Sequence, residues 1–446
     1  MTPSIAALLH TARPLVVGLA ATLFVDAAAA VAGCAGCPAG TLADEFRAAD
    51  ARLVRVWIVQ VPFDSAAWKL GRVVVADGLV LAQSGDGGVH AIRASGTDGP
   101  AAGTMAWSRA MPAAAGHAWP PTVGARLVYV TSGKDVLALD RATGSVEWER
   151  SAGGLTAAAA AESGRWVYVP LETGRLLRLP VDPFGRAGAD RADAPPPAAD
   201  ARDRSASPPE SLDPVIVDAG GRLDRSPAPI DGGVIWGTES GLVALQPTSS
   251  RWIRHRFPDT TATRQPPMTL VGSPVVRRDE IFVVTADGML ARIALNAPQH
   301  RGLWAAWSRS LPDRPDSGPI VSGDTVLDSL APAGIAAFEV SHGVERWWSC
   351  LDGTIVAVAG GRAWVLDDAG RLTELDLATG APRGSWPVGC FTLPVVNAVS
   401  ERIVLASPSG LVVSLAPPTP AATAPVTAAD APEAEVGPED PGPTPP

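Results

Sequence analysis

The sequence predicts an all-β fold, an eight-bladed β-propeller of four-stranded antiparallel blades, on three observations. The first is a hairpin of two apolar runs around a glycine-containing turn. It is clearest in residues 127–150, where LVYV and VLAL flank Ser132-Gly133-Lys134-Asp135 and a third run ends at Trp148-Glu149-Arg150. Short strands joined by tight turns make an up-and-down antiparallel sheet. The second is recurrence. The hairpin returns at 79–93, 127–140, 166–180, 234–246, 281–295, 325–339, 363–376 and 403–415. A further strand, often with proline, precedes most copies, as in Ser273-Pro274-Val275-Val276 and Gly318-Pro319-Ile320-Val321. Four-stranded units at a period of about 40 residues are propeller blades. The third is tryptophan, with 14 Trp against 2 Tyr. Trp57, Trp107, Trp148, Trp252, Trp307, Trp347 and Trp386 all fall in the outer strand of a blade. A ring there fills the gap that widens between blades away from the axis, burying ~150–250 Å².

Residues 1–33 read as an export signal. Arg13 precedes an apolar run at 15–25 that is too short to span a membrane. Val31-Ala32-Gly33-Cys34 is similar to a bacterial lipobox, with Cys34 as the lipidated first residue; ordinary cleavage within 27–32 is the alternative. Residues 34–52 form a lead-in linker. Residues 53–61 look like a strand and carry Trp57 before the first full hairpin, whereas the last hairpin has no tryptophan strand after it. The N-terminal strand is therefore expected to complete the eighth blade, closing a propeller that spans 53–417. Closure removes the open sheet edge.

Residues 182–224, rich in Pro, Ala, Asp and Arg, read as a disordered insertion between the third and fourth strands of the third blade, with 214–218 supplying the fourth strand. Residues 418–446 read as a disordered Pro/Ala/Glu tail. Five of its residues are acidic and none is basic, so the tail carries half of the net charge of −10. The folded part is only mildly acidic, and no basic run offers a nucleic-acid surface.

Two turns repeat in detail, Asp140-x-x-Thr143-Gly144 and Asp376-x-x-Thr379-Gly380. Asp and Thr side chains there can bond backbone amides while Gly takes φ > 0, a structural role. With the residues around them, Ala138-Leu139-Asp140-x-x-Thr143-Gly144-x-x-x-Trp148 and Glu374-Leu375-Asp376-x-x-Thr379-Gly380 before Trp386, they resemble the repeat of the pyrroloquinoline-quinone (PQQ)-like propellers. That family contains quinoprotein dehydrogenases and cofactor-free scaffolds such as the BamB-like lipoproteins of outer-membrane assembly.

The resemblance implies a test for the enzyme branch, whose members carry adjacent cysteines and calcium-ligating Glu, Asn and Asp. Here no two of the 4 cysteines are adjacent, Asn occurs only at 296 and 397, and the 6 histidines show no ligand spacing. No catalytic, cofactor or metal residue is expected. The expectation is a non-enzymatic cell-envelope scaffold or protein-interaction module, by resemblance in outer-membrane assembly. It would be exported to the periplasm or outer membrane, monomeric, held to the membrane only by its lipid, and partnered by envelope proteins or peptides. The alternatives are a ligand- or carbohydrate-binding propeller and a PQQ-dependent dehydrogenase.

Two further patterns carry expectations. Cys350 and Cys390 lie one repeat apart and are a candidate disulfide, the alternative being two independent small residues. Arg109, Arg150, Arg309 and Arg254 each stand two residues after an outer-strand Trp. They are expected to make inter-blade salt bridges or to cap carbonyls, the alternative being a band for partner recognition.

Overall fold

Alternation along the middle strands sets the architecture. In Leu127–Ser132, Leu127 and Tyr129 pack toward one neighbouring sheet, while Val128 and Val130 pack toward the other. A strand apolar on both faces needs a sheet on each side. A ring of blades supplies this for every member.

The computed structural model describes residues 53–417 apart from 77, 96–101, 112–117, 184–212, 224, 248–251, 259–267 and 297–301. These residues form an eight-bladed β-propeller. Blade one consists of Leu70–Ala76, Leu79–Ser84, Val89–Arg93 and Met105–Arg109, in that order from the axis outward. Blade two consists of Thr122–Val123, Leu127–Ser132, Asp135–Asp140 and Val146–Ser151. Blades three to seven repeat the pattern, blade six adding a short pairing of Arg314–Pro315 with Thr325–Ala331. In blade eight the first strand is reduced to a bridge between Leu393 and Ala406.

The ring closes through its N-terminal strand. Val54–Gln60 runs antiparallel to Leu411–Ala416, from Val54 opposite Ala416 to Gln60 opposite Leu411. It is the outer strand of blade eight, as its sequence leads one to expect. The core lies in clusters between successive blades. The closing seam joins Trp57, Val404 and Val412 of blade eight to Leu70, Val80 and Ile92 of blade one.

In blade three, Val215–Asp218 pairs with Arg175–Pro180 as the fourth strand. Ala219 and Leu223 are buried in the seam with blade four. The C-terminal end of the expected disordered insertion is thus ordered structure, because these apolar residues complete a blade and its packing. Residues 184–212, the expected export signal with Cys34, and the expected tail from 418 lie outside the described residues.

The expected Cys350–Cys390 pair is not formed. Cys350 is a free, exposed thiol, so it is not the partner of Cys390. Each cysteine follows the fourth strand of its own blade, Glu345–Ser349 and Pro382–Pro387. Cys350 is exposed there, whereas Cys390 is half-buried against the core between blades seven and eight.

Candidate functional site

The seams are built by one recurring contact. Trp57, Trp107, Trp148, Trp307 and Trp347 each donate their indole N–H to a carbonyl of the next blade. The acceptors are Ala94 (3.3 Å), Arg141 (2.9 Å), Val181 (2.9 Å), Val340 (2.9 Å) and Leu377 (2.8 Å). For Trp57, Trp107, Trp307 and Trp347 the ring lies on a glycine of that blade. A Cβ on Gly144 would stand 2.5 Å from Trp107, and one on Gly380 would stand 2.4 Å from Trp347. The turn is shaped for this. Asp140 Oδ1 accepts the Thr143 amide and hydroxyl, both at 2.8 Å, and Gly144 has φ of 70°. Asp376 and Thr379 repeat the arrangement, with Gly380 at φ 69°. The Arg383 guanidinium, followed by the Thr379 donors, holds the Asp376 carboxyl below the usual carboxylate range. Blade six keeps the contact without the motif, since Gly343 (φ 65°) still lies under Trp307.

Two of the seven expected tryptophans are not equivalent to the rest. The docking ring sits opposite a fixed residue of the third strand, as Trp148 does opposite Ala138 and Trp107 opposite Ala91. At that place blade four has His255, opposite Ala244, and blade seven has Gly384, opposite Glu374. Trp252 instead sandwiches the buried Arg178 against Trp166, with guanidinium-to-centroid distances of 4.7 and 4.1 Å. Trp386 lies across Gly384 and packs on Trp364. The regular blades have a β-bulge just before the docking ring, and the outer strand of blade four has none, so counting from its Trp lands on the wrong residue.

The four arginines do not share one register, for the same reason, but two of them make the carbonyl caps and inter-blade salt bridge that the sequence leads one to expect. Arg109, Arg150 and Arg309 share a register, opposite Val89, Val136 and Leu290, but Arg254 does not. Arg309 caps the carbonyls of Gly343 and His342 at 2.8 and 2.7 Å. Arg254 pairs with Asp218 of blade three at 3.4 Å.

Blade one holds a polar cluster that the sequence reading passed over. Ser84 Oγ lies 3.1 Å from His90 Nε2, and His90 Nδ1 lies 2.6 Å from Ser108 Oγ. Ser84 and His90 are buried. A serine against a histidine invites a nucleophilic reading, but the proton count goes the other way. The single Ser84 hydroxyl proton faces Asp86 Oδ1 at 2.5 Å. The contact with His90 then needs a proton on Nε2, and Nδ1 accepts from Ser108. A histidine in that tautomer has no free nitrogen to take the serine proton. Burial, opposed by the Asp86 charge, holds the His90 imidazole below its ordinary pKa and so neutral. The cluster pins the turn 84–88, where Asp86 also accepts the Gly88 amide at 2.9 Å. A histidine inside the apolar strand Val89–Arg93, with Ser84 and Asp86 just before it, was the available signal.

Beside this turn the seam between blades one and two opens into a cleft of 1080 Å³. Trp68, Met111 and Leu155 stand at its rim, and Gln83, Ser132 and Leu137 lie deeper. Trp68 and Leu155 are 48% and 55% exposed, large values for such side chains. Trp68 belongs to a short loop in which its backbone N–H donates a hydrogen bond to the Asp64 carbonyl, and it leans on Gly85 of the blade-one turn. Among the described residues no cluster of three or more His, Cys, Asp or Glu is arranged to hold a metal ion.

The family model described as outer membrane protein assembly factor BamB matches residues 47–206 and 263–353, more than half of the chain. The chain belongs to this PQQ-like β-propeller family. The crystal structure of BamB from Moraxella catarrhalis is similar, with a TM-score of 0.57 at 16% identity over 82% of this chain and 97% of that one. The C-terminal WD40 domain of Sif2 matches with a TM-score of 0.54 at 10% identity, over 82% of this chain and 100% of that one. The computationally designed Ika8 protein matches with a TM-score of 0.52 at 10% identity, over 81% and 98%. At such identities these likenesses speak to the fold alone. No curated protein matches the sequence.

Proposed function

We propose that this family member is a non-enzymatic scaffold of the cell envelope, a protein-interaction module with a role in outer-membrane assembly. The observation that carries the reading is the match to the BamB family model over more than half of the chain. The geometry is in keeping with it. Asp140, Asp376, Ser84, Asp86 and His90 are spent on holding turns, and the tryptophans Trp57, Trp107, Trp148, Trp307 and Trp347 on holding seams. What the ring then offers a partner is a rigid disc with exposed loops and apolar rims.

On this reading residues 1–33 direct export and Cys34 carries the lipid that holds the propeller at the periplasmic face of the outer membrane. Residues 34–52 are the linker between that lipid and the propeller. The test joins location to partnership. The wild-type chain is expected in the membrane fraction, crosslinked in living cells to envelope proteins, and Cys34→Ala is expected in the soluble envelope fraction. Identical fractionation of the two would contradict the anchor, and an absence of envelope crosslinks from the wild type would contradict the scaffold.

A further inference from the structure

We propose that the cleft between blades one and two binds an extended segment of another polypeptide, seating one large apolar side chain between the blades. The inference deepens the scaffold reading and rests on it.

The argument begins with two polar atoms that have no partner. Gln83 is 5% exposed, and its Nε2 makes no hydrogen bond. Ser132 Oγ is buried and likewise unpartnered. Burying such groups unpaired is costly. They line one cleft from its two walls, Gln83 on blade one and Ser132 on blade two. At the repeat position of Gln83, blade two has Thr131, whose hydroxyl reaches the Ala158 carbonyl, and blades three and seven have Pro170 and Leu366. The orphan amide is therefore not a requirement of the fold.

The chemistry of the cleft fits a peptide. An amide N–H donor on one wall and a hydroxyl on the other match the C=O and N–H of a main-chain unit. The buried Leu137 below, with the exposed Trp68 and Leu155 and the half-buried Met111 at the mouth, provides an apolar socket within a lining that also holds Arg72, Asp86, Lys134, Asp135 and Glu149. An extended peptide brings one carbonyl, one amide and a large side chain at the spacing of a strand.

The test uses the full chain and a fluorescein-labelled, uncharged dodecapeptide of alternating serine and valine with a central phenylalanine, read by anisotropy. The wild type is expected to bind it saturably, and to lose the interaction when the phenylalanine is replaced by alanine. Gln83→Leu and Trp68→Ala are each expected to weaken binding by about tenfold, the equivalent of one good contact. Gln83→Leu is also expected to raise the Tm of the free protein, because it removes an unpaired buried donor. A structural amide would do the reverse.

Equal binding by wild type and Gln83→Leu overturns the inference, as does a lowered Tm in that variant. So does an absence of peptide binding, or saturable binding of a chitin oligomer in its place. Crosslinking in cells separates this failure from that of the scaffold. Envelope crosslinks undiminished in both variants would overturn the cleft and leave the scaffold standing, whereas none from the wild type would remove both.

Discussion

Blades two and four are built from the same hairpin but join the next blade differently. In blade two a bulge turns Trp148 forward, and its indole reaches Val181 of blade three. In blade four the outer strand Trp252–Phe257 pairs without a bulge and presents His255 at the same register. A Cβ on Gly302 of blade five would lie 2.9 Å from His255 Nδ1. The docking place is thus defined by register, and a glycine is kept beneath it even when the ring above is smaller. What repeats in this propeller is the contact, and the residue type follows only where the bulge is also kept.

The largest expected effect tests that contact directly. Trp107→Ala should cost about 3–5 kcal/mol, the usual loss for a large buried ring, because it empties a seam and leaves the Arg141 carbonyl without its donor. His255→Ala, at the smaller copy, should cost about 1–2 kcal/mol. Urea unfolding of the two variants reads the difference, and equal losses would show that the two contacts are not graded by the ring.

The next comparison separates backbone strain from docking. Gly133 and Gly144 both have positive φ, 57° and 70°, but a Cβ on Gly133 meets nothing within 4 Å while one on Gly144 meets Trp107. Gly133→Ala should cost only the left-handed strain, about 1–2 kcal/mol. Gly144→Ala should cost that and more. Similar melting shifts for both would remove Trp107 from the account.

A smaller, pH-dependent difference distinguishes the seam between blades five and six. At one position of the second strand, blades two, three, five and seven carry Val130, Val169, Val283 and Val365, and blade six carries Asp328. The Asp328 side chain is fully buried, and burial pushes its carboxyl up to about 8, against a lowering backbone hydrogen bond at Ser329. Its ordinary value is 3.8. Between these values the folded state holds a proton that the unfolded state has lost, so stability falls as pH rises through the window and levels off above 8. Asp328→Val should therefore raise the Tm clearly near pH 8 and little near pH 4. A gain of the same size at both would mean that the carboxyl does not titrate across the window.

The fold was legible because each of its devices leaves a local mark. Glycine turns, apolar alternation and the Asp140-x-x-Thr143-Gly144 motif all fall within a few residues of one another, and Trp57 without a hairpin before it foretold the closing strand. What was not legible depends on register or on contacts between distant residues. Trp252 looks like Trp148 until the missing bulge is counted, and Trp386 stands two residues past the docking register, which Gly384 occupies. Cys350 and Cys390 stand one repeat apart, and the spacing does not reveal that one is exposed and the other packs on the core. Gln83 is an ordinary residue in an apolar strand, and its lack of a partner follows only from the wall that blade two places opposite it.

The central claim is that this PQQ-like propeller works by holding partners and not by quinone chemistry. The most direct measurement is to purify the full chain with and without added PQQ and calcium, then record its absorption spectrum and its dye-linked oxidation of alcohols. The account predicts a colourless, inactive protein under both conditions. A retained quinone chromophore with turnover would contradict it.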